Sequence, residues 1–163
     1  LSFEKAEDGI LKEKPRSPKE SIFNKELLQE IVVAGAVIGV VVFGVWYYLL
    51  NVVNMDVNIA RGYIMALMVF IQNIHVFNCR SEHKSAFSVP LKNNWLIVGG
   101  VGASVLLHVI VMEVDVLSSF LQTTKVPVGD AVYLVLVAVS ILVIMEIYKK
   151  INNTIRENVK EQN

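Results

Sequence analysis

Gln72, Asn73 and His75 are the first candidates for chemistry in this sequence, because they are polar residues in the interior half of a long apolar run. Amide side chains at such a depth usually face protein, where they hydrogen-bond across neighbouring helices. His75 and His108 could relay protons or bind a metal, as ionisable groups inside membranes often do. Each stands without a second ligand nearby, and isolated histidines of this kind are usually packed and hydrogen-bonded.

The patterns of common soluble catalytic and binding sites are absent from the sequence. No Cys/His cluster has zinc spacing, and no serine lies in a nucleophile elbow. The run 99–102 contains three glycines but has neither a Lys-Ser pair nor a preceding soluble strand, so it is not a phosphate-binding loop. The single cysteine, Cys79, excludes an intramolecular disulfide. Lys+Arg and Asp+Glu are equal at 15 each, so no basic excess suggests nucleic acid as a partner.

Long apolar runs must position these polar residues. Hydrophobic residues make up 54% of the chain, and charges are missing from 31–55, 62–79, 93–112 and 131–145. A helix needs about 17–25 mostly apolar residues to cross a bilayer. The last run is short, but apolar residues on both sides extend it. We therefore predict an all-α polytopic membrane protein with four transmembrane helices in two hairpins, at about 27–50, 60–77, 93–112 and 130–148.

The distribution of basic residues predicts the orientation of these spans. Of the 15 Lys and Arg residues, only Arg61 and Lys125 lie in the two loops between the spans of each hairpin. The positive-inside rule then places both termini and the middle loop in the cytoplasm. The predicted divisions are a cytoplasmic loop and helix lead-in at 1–26, a membrane domain at 27–150 and a cytoplasmic tail at 151–163.

Small residues and end charges predict contacts between the helices. Glycine, alanine and serine recur at three- and four-residue spacings in the first and third spans, a pattern typical of close helix packing. The residues are Gly35, Gly39, Gly99, Gly100, Ala103 and Ser104. Glu146 lies one turn from Lys149 and Lys150, which predicts an ion pair along the helix. Asp130 is predicted to be an interface residue or a helix cap.

Two polar signatures carry a family resemblance. Pro15-Arg16-Ser17-Pro18-Lys19-Glu20 precedes the first span, and the pattern Asn78-x-x-Ser81-Glu82 closes the second. In this order, from Leu1 to about Lys150, the chain resembles the C-terminal membrane part of calcium-transporting P-type ATPases. The resemblance identifies residues 1–26 with the loop between membrane helices six and seven, and the four spans with helices seven to ten.

The resemblance implies a supporting and coupling role in an ATP-driven calcium exporter of the plasma membrane. The parent pump would use calcium, magnesium and ATP, but this chain lacks the phosphorylated aspartate and the nucleotide pocket and should hydrolyse nothing alone. Its partners would be the bilayer, the remaining transmembrane helices and the phosphorylation domain. The coupling residues would be Glu7, Asp8, Arg16 and Lys19, with Arg16 the first choice for holding a carboxylate or carbonyl in fixed geometry.

The same resemblance places Gln72 where family members with two calcium sites have a calcium-binding glutamate. Calcium prefers several oxygen ligands, and an amide supplies one neutral oxygen where a carboxylate supplies up to two with charge. We expect one calcium ion per cycle, with Gln72 at most a weak or outer-shell contributor. The alternative is that Gln72 only hydrogen-bonds across helices.

Two other functions compete with the pump. An independent four-span scaffold or accessory subunit would have a start codon near Leu1, whereas a pump would have further helices and a soluble insert upstream. The chain begins without Met and without a signal peptide, which favours a fragment of a longer polypeptide. A small secondary transporter is disfavoured by the lack of paired intramembrane charges and of repeat symmetry.

Overall fold

A computed structural model describes residues 25–81 and 85–161, and all of the regular structure in these residues is helical. The helices are α1 (Lys25–Asn51), α2 (Val57–Asn78), α3 (Trp95–Glu113), α4 (Asp115–Phe120) and α5 (Val128–Glu161), with a 3₁₀ turn at Leu91–Asn93. Four of them, α1, α2, α3 and α5, are long and apolar enough to cross a membrane. The predicted all-α, four-span fold is confirmed, and the chain is an integral, multi-pass membrane protein.

The helices differ from the predicted spans mainly at their ends. The 19 residues of α3 rise about 28 Å, slightly less than a hydrocarbon core of about 30 Å but within the range of about 17–25 residues found for spanning helices. The 34 residues of α5 are far longer than a span requires, because the polar stretch after Lys150 continues the same helix to Glu161. The short helix α4 occupies the connection before α5 and has no counterpart among the predicted elements.

Side-chain caps fix the starts of α2 and α3. Asp56 accepts a hydrogen bond from the backbone N–H of Asn58 at 2.8 Å. Asn94 accepts one from the backbone N–H of Ile97 at 3.2 Å. Each cap satisfies a backbone donor that the first helical turn leaves unpaired.

Helix α2 lies at the centre of the bundle. It packs most extensively on α5 and less extensively on α1 and α3. Buried residues of α5 recur every three or four positions and form one stripe against α2. The stripe consists of Leu134, Ala138, Ile141 and Met145, and its main counterparts on α2 are Ala60, Leu67 and Ile71. Helix α3 contributes nothing to this buried cluster, although His108 and Met112 are buried elsewhere on it.

Helices α2 and α5 run parallel, because contacts join their first turns to each other and their later turns to each other. Tyr63 bonds Asp130 near the start of both helices, and Lys149 bonds the carbonyl of Asn78 near the end of α2. Helices α1 and α3 run in the opposite direction. The end with connections 52–56 and 114–127 is called here the predicted external end, and the end with residues 79–94 the predicted cytoplasmic end.

Candidate functional site

Gln72 lies on an open face of α2, in a groove of about 430 Å³. Trp46 of α1 borders the groove on one side and Ser104 of α3 on the other. Arg61 and Met68 share the face with Gln72, and all three side chains are exposed. The groove therefore displays a polar amide in the second half of α2, the most buried of the spanning helices.

A polar side chain directed into hydrocarbon would be unfavourable, since its hydrogen-bonding groups would have no partner. Gln72 belongs to α2, which is also the least apolar of the four spanning helices. Apolar side chains, among them Trp46, Met65 and Val69, make up most of the groove lining, with Gln72, Arg61 and Ser104 as its polar members. Gln72 is exposed, so the prediction that the polar residues of this helix face protein stays a prediction.

Asn73 and His75 lie on other sides of α2 and do not join Gln72 in the groove. Asn73 is half-buried, and its Nδ2 has no hydrogen-bond partner among the described residues. His75 Nε2 lies 3.4 Å from the sulfur of Cys79, one turn further along the helix. Within 25–81 and 85–161, no group of three His, Cys, Asp or Glu side chains could hold a metal ion.

Lys149 joins α5 to the end of α2 at the predicted cytoplasmic end. Its ammonium donates to the backbone carbonyls of Asn78 and Ser81, at 2.6 Å each, and the residue is only 4% exposed. A cation is favourable there because the last carbonyls of a helix are unpaired and carry partial negative charge. The signature residues Asn78 and Ser81 thus provide the backbone acceptors that hold α5.

The predicted ion pair of Glu146 with Lys149 or Lys150 is wrong. Glu146 accepts a hydrogen bond from the backbone N–H of Ala86 at 2.7 Å, and Lys149 turns toward α2. The local spacing of one turn would allow the pair, but the loop and the end of α2 offer buried backbone groups that require partners. Tertiary contacts therefore outweigh an ion pair that would contribute little.

Arg80 holds the loop that links the two hairpins. Its guanidinium donates to the carbonyl of Val89 at 2.9 Å and to that of Pro90 at 3.0 Å. Because Arg80 follows α2 directly and Pro90 precedes α3, this side chain fixes how the chain passes between the two helices. The described part of the loop is therefore tied to α2 by Arg80 and to α5 by Glu146.

At the predicted external end, the hydroxyl of Tyr63 donates to the carboxylate of Asp130. Asp130 lies in the first turn of α5, where a negative charge is also favourable. The predicted place of Asp130 at the membrane interface stays a prediction, and the structure adds a specific partner from another helix. Sequence reasoning missed Tyr63, although Tyr63 and the buried Leu67 have the spacing of one helix face.

Among the described glycines, Gly62 is the one at which an added Cβ atom would meet other atoms within 4 Å. A Cβ atom at this position would lie 2.5 Å from Thr124 Oγ1, 2.7 Å from its carbonyl oxygen and 2.9 Å from its nitrogen. The connection between α4 and α5 therefore lies directly on α2. Arg61 adds a hydrogen bond to Gln122 at 3.3 Å.

The glycines predicted to mediate helix packing face open space in this chain. A Cβ atom added to any one of them would have nothing within 4 Å beyond its own helix; these residues are Gly35, Gly39, Gly99 and Gly100. Ala103 is exposed, and Ser104 lines the groove beside Gln72. Packing through these small residues remains a prediction for partners outside the described residues.

The predicted coupling residues Glu7, Asp8, Arg16 and Lys19 lie outside the described residues.

The contact of Lys149 with the end of α2 was also missed by sequence reasoning, although a signal for it was present. Lys149 continues the buried stripe of Ile141 and Met145 with the same four-residue spacing, so it had to lie on the core side of α5.

Comparison with known proteins identifies relatives across almost the whole chain. The family described as "Cation transporting ATPase, C-terminus" matches residues 1–151. A calcium-transporting ATPase of Bacillus subtilis is 32% identical over 130 residues, which are 80% of this chain and 14% of that protein. Calcium-transporting ATPase type 2C member 1 of Mus musculus is 26% identical over 163 residues, 99% of this chain and 17% of that protein.

A further relative is described only by its general ion class. A probable cation-transporting ATPase F of Mycobacterium bovis is 24% identical over 147 residues, which cover 89% of this chain and 16% of that protein. The chain thus spans less than a fifth of the length of each of these relatives. The matching family is described as a C-terminus, so the similarity is to one part of these relatives.

Proposed function

This chain belongs to the family of cation-transporting ATPase C-termini, and we propose that it forms the C-terminal membrane support and coupling part of an ATP-driven calcium pump. The parent protein would be a plasma-membrane exporter that uses ATP and magnesium and moves one calcium ion per cycle. This region would brace the helices that carry calcium. Calcium is favoured because relatives in Bacillus subtilis and Mus musculus are described as calcium-transporting.

The observation that carries the proposal is the open face of α2. The other sides of α2 pack on α5, α1 and α3, whereas the face with Gln72 forms an uncovered groove. A polar amide at that depth needs a polar or protein partner. The remaining helices of the pump would cover this groove and bring the ion path close to Gln72.

The chemistry of Gln72 supports a weak contribution to calcium binding. Its amide offers one neutral oxygen, and the neighbouring groove residue Ser104 offers a hydroxyl. Neither group brings negative charge, and calcium sites gain affinity from carboxylates. We infer that other helices of the pump supply one complete calcium site and that Gln72 contributes to it only from the outer shell, because its amide and the Ser104 hydroxyl are neutral ligands.

Exchanging amides for carboxylates in the full-length pump tests this assignment. We expect Gln72→Glu to change the affinity for calcium or the ratio of calcium transported to ATP hydrolysed, because it adds a charged oxygen ligand to the groove. Asn73→Asp is the matched control, since it makes the same chemical change outside the groove. Unchanged affinity and stoichiometry in Gln72→Glu would remove Gln72 from the ion path, and two calcium ions per ATP in the unmodified pump would refute the proposed stoichiometry.

The loop of residues 1–26 supplies the coupling part of the proposal. Glu7, Asp8, Arg16 and Lys19 would contact the phosphorylation domain and pass its movement to the membrane helices. Arg16→Ala in the full-length pump should slow formation of the phosphorylated enzyme, whereas Arg16→Lys should restore it only partly because lysine lacks the planar fork. Equal phosphorylation rates in all three proteins would exclude Arg16 from this role.

A further inference from the structure

A cavity of about 190 Å³ lies between α2, α3 and the start of α5 at the predicted external end. Most of its wall is apolar, with Phe70 from α2, Val105 and Val109 from α3, and Ala131 from α5. Its volume is below the range of about 300–1,000 Å³ that is usual for drug-sized ligands. A slender apolar segment would fit it better than a bulky molecule.

His108 is the polar residue inside this otherwise apolar wall. It is 6% exposed, and its Nε2 has no hydrogen-bond partner among the described residues. The ring meets Phe70 edge-on, with centroids 6.4 Å apart and planes at 77°. An unpaired buried nitrogen is unfavourable, and the broad χ2 torsion of histidine lets the ring turn a nitrogen toward an occupant.

A water molecule would be a poor partner for the unpaired His108 nitrogen in this cavity. A buried water needs two to four polar partners, and the inner wall offers chiefly the His108 ring. An apolar segment that carries one hydrogen-bond acceptor would match both the wall and the histidine.

The mouth of the cavity has a different character, because two opposite charges line it. Lys125 Nζ and Glu113 Oε2 lie 2.7 Å apart, and both side chains are more than half exposed. Glu113 follows His108 by five residues on α3, which is a rise of about 7.5 Å. This distance is close to the thickness of about 5–8 Å that the headgroup layer adds on each side of a bilayer.

We propose that this cavity binds one diacyl phospholipid from the leaflet at the predicted external end. A segment of an acyl chain lies along the apolar wall, an ester carbonyl accepts a hydrogen bond from His108 Nε2, and the phosphate lies near the Lys125 ammonium. The order of apolar wall, single donor and surface charge follows the order of chain, ester and headgroup in the lipid. The proposal depends on membrane insertion and not on the transported ion or on the coupling mechanism.

Photo-crosslinking tests the lipid directly. The full-length protein that carries this region is reconstituted in dioleoyl phosphatidylcholine vesicles containing a small fraction of phosphatidylcholine with a diazirine near the ester end of one chain. We expect crosslinks on the cavity-lining residues Val105, His108 and Met112 to exceed those on Leu106 and Leu107 of the same helix, which are 61% and 62% exposed and do not line the cavity. An analogue with ether linkages lacks the carbonyl, so its labelling of these cavity residues should fall roughly fivefold, the equivalent of one neutral hydrogen bond.

Variants separate the histidine contact from general occupancy. His108→Phe should lower labelling by the ester lipid roughly fivefold and leave labelling by the ether lipid unchanged. Val109→Trp should abolish labelling by both lipids because the larger ring fills the cavity. Leu107→Phe is the control, since Leu107 is 62% exposed and does not line the cavity.

Three outcomes would overturn the proposal without depending on how the variants fold. Equal labelling of the cavity residues and of Leu106 and Leu107 in the unmodified protein would mean that only general lipid contact occurs. No labelling of the cavity residues would mean that another part of the full-length protein covers the cavity. Equal labelling by the ester and ether lipids would refute the carbonyl contact with His108.

Discussion

The central helix α2 and the outer helices, α1 and α3, use their glycines in opposite ways. Gly62 of α2 lies against the backbone of Thr124, and Ala138 of α5 is completely buried in the stripe that faces α2. The glycines of α1 and α3 face open space, so their lack of side chains serves no contact within the described residues.

This difference shows what specifies a contact between helices in a bilayer. Apolar surface alone gives little preference for a neighbouring helix over lipid, since both are hydrocarbon-like. The inner pair of helices, α2 and α5, is specified by close packing and by a polar contact near each end, Tyr63 with Asp130 and Lys149 with two carbonyls. Helix α1 adds Ala34 and Leu49 to the buried cluster, but most of the long apolar side chains of α1 and α3 remain exposed. These exposed faces are suited to the rest of a larger membrane assembly.

Adding one methyl group at Gly62 of α2 should have the largest destabilising effect on the fold. Gly62→Ala places a Cβ 2.5–2.9 Å from three atoms of Thr124, two of which belong to the backbone. We expect a loss of about 3 kcal/mol in the free energy of unfolding, measured for the reconstituted chain by detergent-induced unfolding. Gly99→Ala is the control and should be neutral or slightly stabilising because alanine is the better helix former. An equal effect of both variants would contradict the distinction between inner and outer helices.

Removing the cation of the inner pair should have the next largest effect. Lys149→Met keeps much of the side chain but leaves the carbonyls of Asn78 and Ser81 without their donor. The free energy of unfolding should fall by about 2 kcal/mol, since relief from burying a charge offsets part of the lost bonding. Lys150→Met changes an exposed neighbour and should leave the stability close to that of the unmodified chain. A Lys149→Met chain as stable as the Lys150→Met chain would show that the contact contributes nothing.

The Tyr63 hydroxyl, at the predicted external end of α2 and α5, should contribute less to stability than Lys149. Tyr63→Phe removes the hydrogen bond to Asp130 while keeping the ring, so the free energy of unfolding should fall by about 1 kcal/mol. Asp130→Asn should have little further effect in the Tyr63→Phe background, because the partner has already gone. A double-mutant cycle measures this coupling, and full additivity of the two changes would mean that the groups do not interact.

The surface ion pair of Lys125 and Glu113 should have the smallest effect. Hydrogen bonding to Glu113 raises the pKa of Lys125 above its ordinary value. A pKa raised by folding stabilises the fold below the unfolded pKa, and this contribution disappears as pH rises through the folded pKa. Lys125→Ala should therefore change the unfolding midpoint only slightly at neutral pH and not at all in strong alkali or high salt. A large loss of stability at neutral pH would show that this pair belongs with the inner contacts.

Apolar run lengths were sufficient to predict the four spans, because the bilayer sets a minimum length that few other structures meet. The sequence did not predict α4 or the close approach at Gly62, since both depend on how the 114–127 connection folds over α2. Glycine spacing drew attention to Gly35 and Gly99, whereas the glycine with a contact, Gly62, has no partner glycine at helical spacing.

The sequence predicted the contacts of the candidate site less completely than it predicted the four spans. The sequence singled out Gln72 as a polar residue in an apolar helix, and the structure adds the groove between Trp46 and Ser104. Glu146 was given the wrong partner because spacing along one helix carries no information about the loop that packs on it.

The proposed function requires that the open face of α2 face protein and the ion path rather than lipid. Spin labels at Gln72→Cys and at Leu107→Cys, each as the only reactive cysteine of the full-length protein, test this orientation by collision with oxygen, which concentrates in lipid. We expect low oxygen access at position 72, with reduced label motion when calcium is added, and high access at position 107. Equal, high oxygen access at both positions, with no response to calcium, would show that lipid covers the groove and would refute the proposed orientation.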